Sequence, residues 1–101
     1  MAENVDDLTI GYTEGDIETV KELDKKILTK GAWSTIIFKY QSWENAKQAY
    51  TPVKYSIRRY QKRNGEYQVK SRFNISSNDQ AEKIIAALTE WMSEDDGPAD
   101  E

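Results

Sequence analysis

Apolar residues recur with two different periods along this chain, and the change of period separates strands from a helix. Near the C-terminal end they fall at Ala81, Ile84, Ile85, Leu88, Trp91 and Met92, the spacing of one helical face. Ser77 with Gln80 three positions later forms a capping-box signature, Asp79 suits the first turn, and Gly97-Pro98 lies beyond the far end. The spacing predicts an amphipathic helix over residues 77–93. Upstream the period drops to two. Tyr67, Val69, Phe73 and Ile75 alternate with polar neighbours, as do Val53, Tyr55 and Ile57, the pattern of half-buried strands.

Arg63-Asn64-Gly65-Glu66 between these runs is a hairpin signal. A two-residue loop would set Ile57 against Arg72 and Tyr55 against Asn74, mixing core and solvent positions. A three-residue loop pairs Ile57 with Ser71, Tyr55 with Phe73, and Lys62 with Glu66. Register follows the hydrophobic pattern, so the three-residue loop is expected, with Gly65 at positive φ.

A further strand runs from Trp33 to Gln41, where Ile36, Phe38 and Tyr40 alternate with Thr35, Ile37 and Lys39. Residues 17–30 fit two readings. Val20, Leu23 and Ile27 suit a helix from Asp16 to Gly31, while Lys30-Gly31 also reads as a turn joining a strand to the one at Trp33. Taking the strand gives ββββα, an α+β domain with a four-stranded antiparallel sheet and one C-terminal helix. The expected organisation is a disordered acidic segment at residues 1–16, a single domain at 17–93 and a disordered acidic tail at 94–101.

Charge sharpens this picture. Residues 21–72 hold 13 Lys and Arg against 4 Asp and Glu, whereas the flanking stretches are acidic, so the formal net charge of −4 conceals a cationic middle. If the helix covers the face carrying Ile36, Phe38, Tyr55, Ile57, Val69 and Phe73, the opposite face presents Trp33, Lys39, Lys54, Arg58, Tyr60, Lys62, Lys70 and Arg72. Arg58 is expected opposite Lys70, a like-charge pair that is unfavourable without an anion. Cations interleaved with Trp and Tyr suit a polyanion whose bases can stack. Lys and Arg on an exposed sheet also keep edges soluble, and exposed aromatics also pack against protein partners. A protein-interaction or dimerisation module without a nucleic-acid role is therefore the alternative.

The composition narrows the chemistry. There is no Cys and no His, which removes disulfides, thiolate nucleophiles, the usual general base at neutral pH and the commonest zinc ligands. No catalytic constellation and no phosphate-binding glycine loop occurs, so neither an enzyme nor a cofactor is expected. Mean hydropathy is −0.84, and no apolar run approaches the roughly 20 residues of a membrane span. A cytoplasmic location is expected. A core of this size is marginal alone, which favours association through any leftover apolar face.

The order of Tyr55-Ser56-Ile57-Arg58-Arg59-Tyr60, Asn64-Gly65-Glu66-Tyr67, Lys70 and then Ile75-Ser76-Ser77-Asn78-Asp79-Gln80 resembles the single-stranded-DNA-binding domain of the positive cofactor four family of transcriptional coactivators. The resemblance covers residues 53–92, and the polar stretch Gln41–Thr51 has no counterpart in it. It implies a homodimer of curved ββββα protomers that grips single strands or melted duplex, with Arg58, Tyr60, Lys70 and Arg72 as contacts and helix 77–93 at the dimer interface. The expectation is a single-stranded DNA- or RNA-binding protein.

Overall fold

A computed structural model describes residues 4–94. The acidic tail expected from residue 94 onward lies, past Glu94, outside the described residues. A short 3₁₀ turn at Val5–Asp7 precedes β1 (Tyr12–Glu14), β2 (Ile17–Thr29), β3 (Trp33–Glu44), β4 (Ala49–Tyr50), β5 (Lys54–Arg63), β6 (Glu66–Ile75) and α1 (Asn78–Glu94). The architecture is α+β, a curled antiparallel sheet of order β1-β2-β3-β5-β6 with β4 paired to β3 off that path. Residues 17–30 take the strand reading. The sheet exceeds the expected four strands because β1 comes from the acidic N-terminal stretch and β4 from the polar stretch after Gln41. There the chain folds back and pairs Trp43 with Tyr50, their rings edge-on at 5.2 Å.

The β5–β6 hairpin departs from the expected three-residue loop. Arg63 pairs with Glu66 across a two-residue turn, with Asn64 at φ 53° and Gly65 at φ 82°. Two consecutive left-handed residues match the twist of the flanking strands, and Asn-Gly adopts them at low cost. The register then shifts between Arg59 and Tyr60: Tyr60 faces Val69 but Arg59 faces Ser71, leaving Lys70 as the extra residue of a bulge. Beyond it Arg58 faces Arg72, Ile57 faces Phe73 and Tyr55 faces Ile75. Each partner lies two residues further along β6 than the three-residue loop predicts (Phe73 and not Ser71 for Ile57, Ile75 and not Phe73 for Tyr55, Arg72 and not Lys70 for Arg58), because the tighter turn and the bulge together shift the register by an even number and so keep the faces.

The assignment of faces also changes. Ile37 pairs with Ile57 and Lys39 with Tyr55, while Phe38 pairs with Ser56 and Ser34 with Tyr60. Ile36 and Phe38 therefore lie on the opposite face from Tyr55 and Ile57, not on the same one. The inner face carries Ser34, Ile36, Phe38, Ser56 and Tyr60, all buried. The outer face carries Trp33, Ile37, Lys39, Tyr55, Ile57 and Phe73.

The inner face is covered by the N-terminal segment and not by the helix. Val5, Leu8 and Ile10 are buried in one cluster with Ile36, Phe38, Tyr60 and Tyr67. Lys25 Nζ donates to the carbonyls of Asp6 at 2.7 Å and Leu8 at 2.6 Å. Glu22 Oε1 accepts from the Thr9 hydroxyl at 2.6 Å and the Ile10 amide at 3.2 Å. This part of the stretch expected as disordered is thus clamped to β2, and its three apolar residues satisfy a face that would otherwise face water.

The helix starts close to its expected position. The Gln80 amide donates to Ser77 Oγ at 3.2 Å, and Gln80 Oε1 accepts from the Ser76 amide at 2.8 Å, a capping box displaced by one residue. It runs beside the outer face, separated from Ile37, Tyr55, Ile57 and Ile75 by an open groove of about 590 Å³ that Ala81, Ile84, Ile85 and Leu88 also line. No residue of α1 is buried, and Trp91 and Met92 are 63% and 64% exposed. Among the described residues no helix is long and apolar enough to cross a membrane.

Candidate nucleic-acid interface

A β-strand repeats its facing every second residue, so Lys54, Arg58 and Lys62 of β5 stand on the inner side, successive cations about 13 Å apart at about 3.3 Å per residue. Arg72 joins them from β6, directly opposite Arg58. Five of the eight candidate residues (Lys54, Arg58, Tyr60, Lys62 and Arg72) therefore share one face, and Lys70 sits exposed in the bulge beside them. Trp33 and Lys39 do not join this set. Their register places them on the outer face, so the single eight-residue surface expected from β-periodicity is split between two sides of the sheet.

The ribbon of β5 and β6 has an ordered polar centre. Ser56 is fully buried and donates to Asn74 Oδ1 at 2.7 Å, while accepting from Arg58 Nε at 3.2 Å. That bond and the interaction with the Tyr60 side chain orient the Arg58 guanidinium, whose fork geometry suits phosphate. Arg72, across the ladder, is exposed. Among the described residues the ion pairs are Lys30–Asp6 and Lys83–Asp79, and neither involves the ribbon. The two opposed cations thus face one another with neither in an ion pair among the described residues, an unfavourable cross-strand arrangement.

Tyr60 has a different role from the one expected. It is 5% exposed, held in the inner core beneath the N-terminal segment, and so is not a stacking surface. Burial pushes its phenol above the ordinary value, and the nearby Arg58 charge opposes this. Lys62 Nζ lies 5.6 Å from the Tyr67 ring centroid, while the Tyr67 hydroxyl donates to the Gly31 carbonyl at 3.0 Å.

On the outer face Trp33 is 42% exposed, and the Arg59 guanidinium lies over its ring at 4.5 Å from the centroid. Arg59 falls beside Trp33 because Thr35 pairs with Arg59 and Trp33 with Gln61. Lys39 is exposed, flanked in the sheet by Asp24 and Tyr55.

Sequence reasoning missed Arg59 and Asn74 as members of these clusters, and Lys25 and Glu22 as the clamps that define the inner face. For Arg59 a signal existed, since its cation stood out of phase with its neighbours. For the clamps none did, because their partners are mostly backbone atoms of a segment lacking periodicity. No family model matches the chain, and no curated protein or solved structure matches it either.

Proposed function

We propose that this chain binds single-stranded nucleic acid, DNA or RNA, along the inner side of the β5–β6 ribbon. The observation that carries this reading is the direct opposition of Arg58 and Arg72, neither ion-paired among the described residues. A phosphate between the two guanidiniums turns a repulsive pair into a bridged one, and Lys54, Lys62 and Lys70 extend the positive track along the ribbon. The resemblance to the positive cofactor four family supports the same residues and a transcription-related role, with Tyr60 now placed beneath the track as a core residue that sets the ribbon's position.

A second reading, compatible with the first, is a homodimer through α1. It is favoured by a 17-residue helix none of whose side chains is buried. The acids Asp79, Glu82, Glu90 and Glu94 dominate that helix, while the outer face carries Lys26 and Lys39. A second copy related by a twofold axis sets acidic helix flanks against cationic strands on both sides at once, with the apolar stripe between.

The experiment is a titration of single-stranded DNA by anisotropy across a range of salt. The wild-type chain binds with a steep salt dependence. Arg58→Ala with Arg72→Ala binds more weakly and has a slope of log K against log salt shallower by about 0.7, the value for the one phosphate that the pair bridges on a single strand. Unchanged affinity and slope in the double variant overturn the assignment of this face.

A further inference from the structure

The split of the candidate residues leaves an exposed aromatic on the side of the sheet away from the phosphate track. Trp33 opens β3, and the turn that precedes it adjoins the end of β5, where the Lys62 amide donates to the Ala32 carbonyl at 2.7 Å. The β2–β3 and β5–β6 turns therefore form one end of the sheet. Around that end lie Lys62 on the inner side, Arg63 at the β5 terminus opposite Glu66, and Arg59 with Trp33 on the outer side. Among the described residues none of Arg59, Lys62 and Arg63 is in an ion pair. The groove along α1 stops at Ile37 and Ile57, so the Trp33–Arg59 pair lies beyond it, towards the turns.

We propose that Trp33 and Arg59 form a second, base-stacking subsite on the outer face, reached by a nucleic-acid strand that rounds this end of the sheet from the Arg58–Arg72 track. This inference rests on the proposed function above and adds the path of the ligand. Arg59 covers one side of the indole and holds its orientation, so little side-chain freedom is lost when a base stacks on the remaining exposed side. Every base presents a π-face, so the subsite is tolerant of sequence. Lys62 and Arg63 meet the phosphates at the turn. With Tyr60 buried, Trp33 is the aromatic candidate left to stack a base. A strand too short to leave the inner track cannot reach it.

The test compares single-stranded oligonucleotides of about 4 and about 16 nucleotides, the range of site sizes seen for small single-strand-binding domains. Wild type, Trp33→Ala, Trp33→Phe and the Arg58→Ala/Arg72→Ala double variant are titrated with each. Trp33→Ala is expected to lose about 5- to 150-fold in affinity for the long strand, the equivalent of one stacked base, and to leave the short strand unaffected. Trp33→Phe, which keeps a π-face, recovers most of the loss. The double variant weakens both lengths. Trp33→Ala equal to wild type on the long strand overturns the second subsite while the inner track stands. An equal loss on both lengths overturns the path around the sheet end. A wild-type chain that binds neither length overturns this inference and the proposed function together, and circular dichroism of each variant separates lost binding from lost fold.

Discussion

Replacing Lys25 by Met tests whether the N-terminal segment is a true layer of the fold. The ammonium donates to two main-chain carbonyls, at 2.7 Å to Asp6 and 2.6 Å to Leu8, the second partly buried. Hydrogen bonds from charged donors contribute about 1.5–3 kcal/mol each. The exposed Asp6 carbonyl regains water when the donor is lost, so most of the penalty falls on the Leu8 carbonyl. Met preserves the packing of the aliphatic stem. The net loss is then about 2 kcal/mol, which for a domain of this size lowers Tm by about 8–16 °C. Thermal and urea unfolding by circular dichroism measure it, with hydrogen exchange reporting whether the Ile10 and Gly11 amides lose protection first. Lys26→Met is the control: the neighbouring lysine is exposed and should stay within about 0.5 kcal/mol of wild type. Lys25→Met within the same margin, with unaltered exchange at Ile10 and Gly11, refutes the clamp.

Two further outcomes follow from burial and exposure. Tyr60 has a folded-state pKa above the unfolded 10.0, so its contribution is fully present below pH 10 and is lost as pH rises through the folded value, because the unfolded chain ionises first. Tyr60→Phe removes that part of the alkaline loss; an identical decline of stability above pH 10 in both proteins contradicts it. Glutamates placed at Leu88 and Trp91 together are expected to convert a dimer to a monomer in sedimentation velocity without loss of helicity, and a wild-type chain monomeric at every concentration removes the dimer.

The helix was legible because its stripe and its cap both act locally. The strands from Trp33, at Tyr55 and at Tyr67 were legible for the same reason, since two-residue alternation needs no distant partner to be read. What alternation lacks is the phase between strands. Ile37 opposite Ile57, and not Ile36 opposite Ile57, is settled by where β3 and β5 meet, and the intervening β4 excursion hides that from any local rule. The hairpin shows the same limit. Asn64-Gly65 marks a two-residue turn by its chemistry, and the alternation gave the faces correctly, but the expected partners of Ile57 and Tyr55 were two residues out because no local signal marks the bulge at Lys70. The N-terminal layer was unreadable because Val5, Leu8 and Ile10 are spaced for an irregular segment. The candidate cations were therefore found as residues, while their division between two faces was not.

The order in which the chain leaves the ribosome meets an asymmetry in this fold. Apart from β4, each strand of the main sheet pairs with the one made just before it, so hairpins can zip as they emerge. The core, by contrast, joins Val5 and Leu8, which are synthesised before every strand of the sheet, to Tyr60 and Tyr67. Until those tyrosines are made, the apolar side of the early strands lacks part of its packing, and the N-terminal segment has only its β2 clamps and the β3 side chains Ile36 and Phe38 to hold it. Completion of the inner layer is therefore a late event, set by a long-range loop closure. A nascent chain stalled before β5 leaves Ile36 and Phe38, two of the four fully buried side chains among the described residues, without part of their cover.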